Sequence, residues 1–318
     1  MQALRSLLTV IAATLLTPQT PTFRVDVPLV SVDIGVMDAS GRPVTNLTQD
    51  DFTIYEDGQK QEIRNFSAAD APYNVILLFD CSGSTRDEWS FLTGAMSQLM
   101  QGLKPRDRVA VAEFNTSVRV ALDWTARSAM PPFIPIQGSS GGTDVFLALD
   151  WAVGKFRGIE GRKSVVLFTD GDGMKSPRKT MMVGGDAKTR PADSADDPQF
   201  QVVLRTLSSS SIVFYFVIVD SDLNPGDDYS ALRIYDMQQT RSRIEQLADA
   251  TGGRAAFPGS PRDLAGWYRK IGEELGTAYS LSYISSNPAE SGRYRRIEVR
   301  SSRQGLRVQQ TREGYSQP

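Results

Sequence analysis

The sequence predicts an α/β protein: a doubly wound, mainly parallel sheet inserted in a small β-sandwich that the N- and C-terminal segments form together. Runs such as NVILLFD and KSVVLFTD are continuously apolar, as strands buried on both faces are, and helical patterns alternate with them. The flanking segments instead alternate apolar and polar residues, which is typical of strands with one buried face. Because neither flank has enough apolar surface for a core of its own, we expect the two to pair.

The chain begins with a pattern typical of an export signal. MQALR is short and positively charged, and the apolar run SLLTVIAATLL after it has signal-peptide length but is too short for a comfortable membrane span. Cleavage, expected near Gln19, predicts a secreted, periplasmic or cell-envelope protein with no stable membrane span. An uncleaved N-terminal anchor is the alternative. Residues 1–22 are therefore assigned to the signal peptide and a linker.

Two segments are predicted to build the β-sandwich. Residues 23–71 contain the alternating run FRVDVPLVSVDIGVMD and then two strand patterns joined by the hairpin signal Asp57-Gly58. Residues 278–318 contain three more strand patterns, AYSLSYISS, RYRRIEVRSS and LRVQQTREGY. We expect these two parts to form one domain around the unit between them.

Residues 72–277 are predicted to form the α/β domain. Helical patterns follow most of the apolar strands, and SVRVALDWT is expected to be an antiparallel edge partner of RVAVAEFN. The last helix pattern, PRDLAGWYRKIGEELG, leads directly into the C-terminal strands. The run Met182–Asp197 has no periodicity and many Gly, Asp and Ser residues, so we expect a loop there.

Composition excludes several function classes. The chain has 318 residues, 40% of them hydrophobic, and a formal net charge of −2, with no basic stripe that would indicate a nucleic-acid partner. One cysteine rules out an intramolecular disulfide framework. The absence of histidine excludes serine-histidine and cysteine-histidine catalysis within this chain.

Candidate ligand residues lie in three short runs, and in the first and third of these an apolar strand pattern precedes an aspartate. Asp80, Ser82 and Ser84 lie in VILLFDCSGST, Thr143 in SSGGTDVF and Asp170 in VVLFTDGDG. The carboxyl ends of parallel strands meet at one edge of the sheet, where ligands bind. Three hydroxyls and two carboxylates make an all-oxygen site, which suits Mg²⁺, Mn²⁺ or Ca²⁺ better than zinc or copper. Singly, each residue also suits a turn or a cap, and Ser84 is well placed to cap the next helix.

The order Asp-x-Ser-x-Ser, then a distant Thr and a distant Asp, resembles the metal-ion-dependent adhesion site of von Willebrand factor type A domains. The resemblance covers roughly residues 74–277, and GGTDVFLALDWA and SVVLFTDGDG are similar to two further family segments. One departure is Cys81, where small polar residues are common, and we expect its side chain to be buried. The opening LTQDDFTIYEDG and the closing Gly314-Tyr315 resemble a bacterial exported subfamily.

The resemblance implies that Ser82, Ser84 and Thr143 are direct or near-direct metal ligands, and that Asp80 and Asp170 act through water or hydrogen bonds. It also implies Mg²⁺, or Mn²⁺ or Ca²⁺, as the ion, and a partner protein that offers an acidic residue. We therefore predict an exported, non-enzymatic adhesion module with no catalytic residues. The alternatives are a structural component of the cell envelope with a purely stabilising metal, and a metal-assisted hydrolase. The hydrolase is least favoured, because the chain has no histidine and no glutamate at a fixed spacing to act as a base.

Overall fold

The computed structural model describes residues 29–83, 85, 89–138, 141–175, 177–183, 186–191, 193–219, 231–287 and 293–316. The predicted signal segment, residues 1–22, lies outside this part of the chain. A six-stranded sheet forms the centre, with five parallel strands and one antiparallel edge strand in the order β12-β11-β8-β5-β6-β7. Its strands are β5 (Tyr73–Asp80), β6 (Arg108–Phe114), β7 (Val118–Ala126), β8 (Arg162–Thr169), β11 (Val213–Ile218) and β12 (Arg254–Ala256).

Within the described residues, five α-helices cover both faces of this sheet. They are α1 (Trp89–Gly102), α2 (Val145–Lys155), α3 (Pro198–Ser209), α4 (Ala231–Thr251) and α5 (Leu264–Thr277). One hydrophobic cluster contains residues of α2, α3 and α4, and the other contains residues of α1 and α5. Successive residues of β5 alternate between the two clusters, so the sheet is buried on both sides. The predicted doubly wound, mainly parallel fold is confirmed.

The two helices of the second cluster cross at glycines. A Cβ atom at Gly272 of α5 would lie 2.6 Å from the carbonyl oxygen of Leu99 in α1, and one at Gly276 would lie 2.4 Å from that of Gly102. Only glycine permits the two backbones to come so close, so α5 packs directly against the backbone of α1. None of the helices in the described residues combines the length and apolar character needed to cross a bilayer.

Antiparallel strands from the two ends of the chain interleave. The first sheet has the order β15-β1-β13-β4 and the second β16-β14-β2-β3. Both sheets contribute to one hydrophobic cluster, which includes Val32, Ile54, Leu281 and Ile297. The strands are β1 (Leu29–Met37), β2 (Phe52–Glu56), β3 (Gln59–Gln61), β4 (Ile63–Ser67), β13 (Tyr279–Ile284), β14 (Tyr294–Ser301), β15 (Arg307–Gln310) and β16 (Gly314–Ser316).

The loop predicted over Met182–Asp197 is wrong for much of its length. Strands β9 (Arg178–Val183) and β10 (Asp186–Pro191) pair antiparallel there, and a short 3₁₀ helix spans Ser194–Asp196. The sequence did indicate a hairpin here, because a Gly-Gly pair between two candidate strand segments is typical of a two-residue hairpin connection. Without apolar alternation in either strand, the pattern is hard to recognise.

Candidate metal site

Two carboxylates lie at the same edge of the central sheet. Asp80 is the last residue of β5, and Asp170 directly follows β8. These strands are parallel neighbours, with Phe79 opposite Phe168. The register brings Thr169 to Asp80, and its hydroxyl donates a hydrogen bond of 2.6 Å to Asp80 Oδ2. The hydrogen bond fixes the orientation of the Asp80 carboxylate between the two strand ends.

The loop after β5 is held by its own polar groups. The backbone N–H of Ser82 donates to Asp80 Oδ1 at 2.9 Å. The Thr85 hydroxyl lies 2.9 Å from the carbonyl oxygen of Asp80 and 3.2 Å from that of Ser82. The Cys81 N–H donates to the carbonyl oxygen of Phe114 in β6, and the Cys81 side chain is buried as expected. Asp80 and Ser82 are themselves buried, so both residues are packed into the edge of the sheet.

The loop that carries Thr143 packs against the turn that carries Asp170. A Cβ atom at Gly173 would lie 3.0 Å from the carbonyl oxygen of Thr143, so only glycine leaves room for that loop. Asp144 caps α2 by accepting a 2.9 Å hydrogen bond from the N–H of Leu147. Its own N–H donates to the carbonyl oxygen of Asn115, beyond the end of β6. Thr143 is thereby held half-buried beside the two strand ends.

The turn after β8 also has a defined shape. Gly171 has a φ of 86°, in the left-handed region that favours glycine. Asp170 Oδ1 accepts a 2.9 Å hydrogen bond from the N–H of Asp172. These two features close the turn and leave the Asp170 carboxylate beside Asp80.

Four of the five predicted ligand residues lie at one edge of the sheet: Asp80 ends β5, and Ser82, Thr143 and Asp170 lie in loops there. Ser84, the fifth, lies outside the described residues. Sequence reasoning missed Thr85 and Thr169, whose hydroxyls position the Asp80 loop and its carboxylate. Each stands next to an expected ligand in the chain, which is the signal that could have identified them.

Burial raises the pKa of the Asp80 carboxyl, and the nearby charge of Asp170 raises it too, while hydrogen bonds from Thr169 and Ser82 act in the opposite direction. A divalent cation would offset the repulsion between the two carboxylates. Within the described residues, no group of three or more Asp, Glu, Cys or His side chains is placed to share a metal ion. The donors here are two carboxylates and neighbouring hydroxyls, which fit a hard, oxygen-preferring ion.

One family model matches part of this chain. Residues 73–183 match the family model of the von Willebrand factor type A domain. No curated protein matches the chain significantly. Among solved structures, a von Willebrand factor type A protein from Catenulispora acidiphila is 13% identical, with a TM-score of 0.46. The match covers 92% of this chain and 74% of that one.

Two further structures are similar over part of the chain. An aerotolerance-related membrane protein from Bacteroides fragilis, with multiple mutations to serines, is 15% identical with a TM-score of 0.41, over 64% of this chain and 98% of that one. Proximal thread matrix protein 1 from the mussel byssus, solved with zinc in its adhesion-site motif, is 15% identical with a TM-score of 0.45. That match covers 69% of this chain and 49% of the mussel protein.

Proposed function

We propose that this chain, which carries a von Willebrand factor type A domain over residues 73–183, binds a divalent metal ion through which it engages an acidic residue of a partner protein. The observation that carries the proposal is the meeting of Asp80, Ser82, Thr143 and Asp170 at one edge of the parallel sheet. That edge is where open α/β sheets bind their ligands. The match of residues 73–183 to the von Willebrand factor type A family model supports this proposal.

The residues divide into two roles in this proposal. Ser82, Ser84 and Thr143 would offer neutral hydroxyl oxygens to the ion, and Asp80 and Asp170 would balance its charge through water. When bound, Mg²⁺, Mn²⁺ or Ca²⁺ supplies a coordination position for a carboxylate oxygen from outside the chain. Thr169 orients the Asp80 carboxylate and Thr85 bonds to the Asp80 carbonyl oxygen, so Asp80 is positioned before any partner binds.

The cellular setting proposed is the outside of a bacterial cell or its envelope. The N-terminal pattern MQALRSLLTVIAATLL supports export, and LTQDDFTIYEDG and Gly314-Tyr315 support membership of the exported subfamily. The proposed role is adhesion or protein binding without enzymatic turnover. The alternative, a structural component whose metal only stabilises the fold, uses the same residues and differs in having no metal-dependent partner.

The experiment is capture of partners from a native envelope fraction by the immobilised protein. We expect a partner to be retained with Mg²⁺, to be released by a chelator, and to be lost in Asp80→Ala. Asp150→Ala is the matched control, because Asp150 is an exposed residue of α2 away from the metal edge. A partner retained equally in chelator and by Asp80→Ala would contradict the proposal. Metal binding with no chelator-sensitive partner would favour the structural alternative.

A further inference from the structure

A pocket of about 220 Å³ opens next to the proposed metal site, between the end of β8 and helix α4. Asp170 and Gly171, in the turn after β8, line one side of it. Met237 lines it from α4, and Phe257 from the segment after β12. Asp170 therefore belongs both to the proposed metal site and to the lining of this pocket, and the two sites are continuous along the edge of the sheet.

The inside of the pocket is mainly apolar. Its apolar side chains are those of Ile218, Met237, Ile244, Phe257 and Pro258. Met237 and Phe257 are only half-buried, so solvent reaches the apolar walls, whereas the other three are buried behind them. The backbone of Gly171 packs against this surface, because a Cβ atom there would lie 3.4 Å from Cγ2 of both Ile218 and Thr240. An accessible apolar pocket of this kind is suited to receive an apolar group.

The charged residues of the lining are Asp170, Asp172, Lys175 and Arg241, of which the last three are exposed at the rim. Lys175 forms an ion pair with Asp172, so these two charges offset each other. The guanidinium of Arg241 lies 4.1 Å from the ring centroid of Phe257, and no carboxylate of the described residues pairs with it. With a metal ion offsetting Asp170, the remaining charge at the rim is positive. The rim therefore favours an acidic segment over a basic one.

The size of the pocket indicates what it can hold. Small-molecule sites occupy about 300–1,000 Å³, and this pocket is smaller, which suits one side chain better than a whole ligand. Along an extended peptide the rise is about 3.3 Å per residue, and side chains two positions apart point to the same side. A segment whose acidic residue binds at the metal can therefore present a second side chain to a pocket that begins at Asp170.

We infer that this pocket receives an apolar side chain, of the size of leucine or methionine, from the same partner segment that offers its acidic residue to the metal ion. The apolar residue stands two positions from the acidic one, and the segment around them is acidic because of Arg241. The inference rests on the proposed function and adds to it, since it states which acidic segments the site selects. The metal position alone accepts any carboxylate, whereas the pocket discriminates between neighbouring residues.

The test is chemical-shift titration of the isotope-labelled full chain with Mg²⁺ and end-blocked peptides at millimolar concentration. The probes are Gly-Gly-Asp-Gly-Leu-Gly-Gly, the same peptide in reverse order, and the peptide with glycine in place of leucine. Gly259→Trp fills the pocket, because Gly259 is an exposed lining residue whose added Cβ would come no closer than 3.9 Å to another residue. Gly154→Trp is the matched control, since its Cβ meets nothing within 4 Å and it lies at the end of α2 away from Thr143. Met237→Gln makes one wall of the pocket polar with little change in length.

We expect one of the two leucine peptides to bind about tenfold more tightly than the glycine peptide, as burial of one leucine side chain implies. Gly259→Trp should remove this advantage without weakening the glycine peptide, Gly154→Trp should keep it, and Met237→Gln should reduce it about threefold. Thermal unfolding shows which variants are folded, and Met237→Gln decides the test if Gly259→Trp is not. Chelator-sensitive binding of all peptides with no leucine advantage, or an advantage that a folded pocket variant retains in full, would overturn this inference alone. Absence of chelator-sensitive binding by every peptide would overturn the proposed function as well.

Discussion

Glu56 joins the N-terminal segment to the C-terminal segment through four hydrogen bonds. Its Oε1 accepts from Arg295 Nη1 at 2.8 Å and from Ser285 Oγ at 2.6 Å. Its Oε2 accepts from the hydroxyls of Tyr283 at 2.8 Å and Tyr315 at 2.9 Å. All four donors come from the C-terminal segment, and the ion pair with Arg295 is only 1–2% exposed. Removing the charge of Glu56 should therefore loosen both sheets at once.

We predict that Glu56→Gln lowers the free energy of unfolding by about 3–5 kcal/mol. The amide keeps the shape of the side chain, but it replaces one acceptor oxygen with a donor that faces two donors. Two lost hydrogen bonds to a charged acceptor cost about 1.5–3 kcal/mol each, and breaking a buried ion pair costs about 3–5 kcal/mol. The two figures describe the same contacts, so they are alternatives and are not added.

The assay is urea unfolding followed by near-ultraviolet circular dichroism, with hydrogen exchange of the amides of β2 and β14 to locate the loss. Glu62→Gln is the matched control, because Glu62 pairs with Arg64 at the surface with side chains 71% and 52% exposed. Such surface pairs contribute about 0–1 kcal/mol. If Glu56→Gln loses no more stability than Glu62→Gln, the reasoning is refuted.

The difference in unfolding free energy between wild type and Glu56→Gln should depend on pH. Although burial raises the pKa of Glu56, hydrogen bonds from Ser285, Tyr283, Arg295 and Tyr315 hold it below its usual value. A carboxyl with a lowered folded pKa stabilises the protein above its unfolded pKa of about 4.3 and loses that contribution as the pH falls through the folded pKa. The gap between wild type and Glu56→Gln should therefore narrow under acidic conditions.

Three further predictions address packing, ionisation and domain organisation. Gly272→Ala should destabilise the protein by about 1–3 kcal/mol in thermal unfolding, because its Cβ would lie 2.6 Å from a backbone oxygen of α1. Gly266→Ala on the same helix meets nothing within 4 Å, and an equal loss there would count against the packing argument. Burial raises the pKa of Asp33, so its protonated form stabilises the protein below about pH 3.9, and this stability is lost as the pH rises through the pKa of the folded protein. The urea midpoint of the wild type should therefore fall above pH 4, and Asp33→Asn should make that fall smaller. An equal fall of the midpoint in both proteins would contradict this. Residues 72–277 should fold alone and residues 23–70 should not, so cooperative unfolding of the short piece by circular dichroism would disprove a shared sandwich.

The central sheet was predictable because its signal is local. Each inner strand is a continuous apolar run such as VILLF or VVLF, and the helices between them carry their own periodicity. The hairpin of β9 and β10 escaped prediction because neither strand alternates, and its pairing was signalled only by two glycines. Strands without apolar alternation leave little trace in a sequence.

The residue types of the candidate site were predictable from the sequence, but the hydrogen bonds that position them were not. Strand ends indicated Asp80 and Asp170, because strand ends converge in any parallel sheet. The resemblance to the adhesion-site pattern indicated Thr143. The hydrogen bond from Thr169 to Asp80 depends on the register between strands 89 residues apart, which no local pattern records.

The most direct test of the central claim is calorimetric titration of the apo-protein with Mn²⁺ and Mg²⁺. Wild type and Asp150→Ala are expected to bind one ion per chain, Asp80→Ala to bind none, and Thr143→Ala to bind more weakly by about tenfold, as loss of one ligand oxygen implies. Circular dichroism should show the same fold in all four proteins. Equal binding by wild type and Asp80→Ala, with both folded, would contradict the assignment of this sheet edge as the metal site.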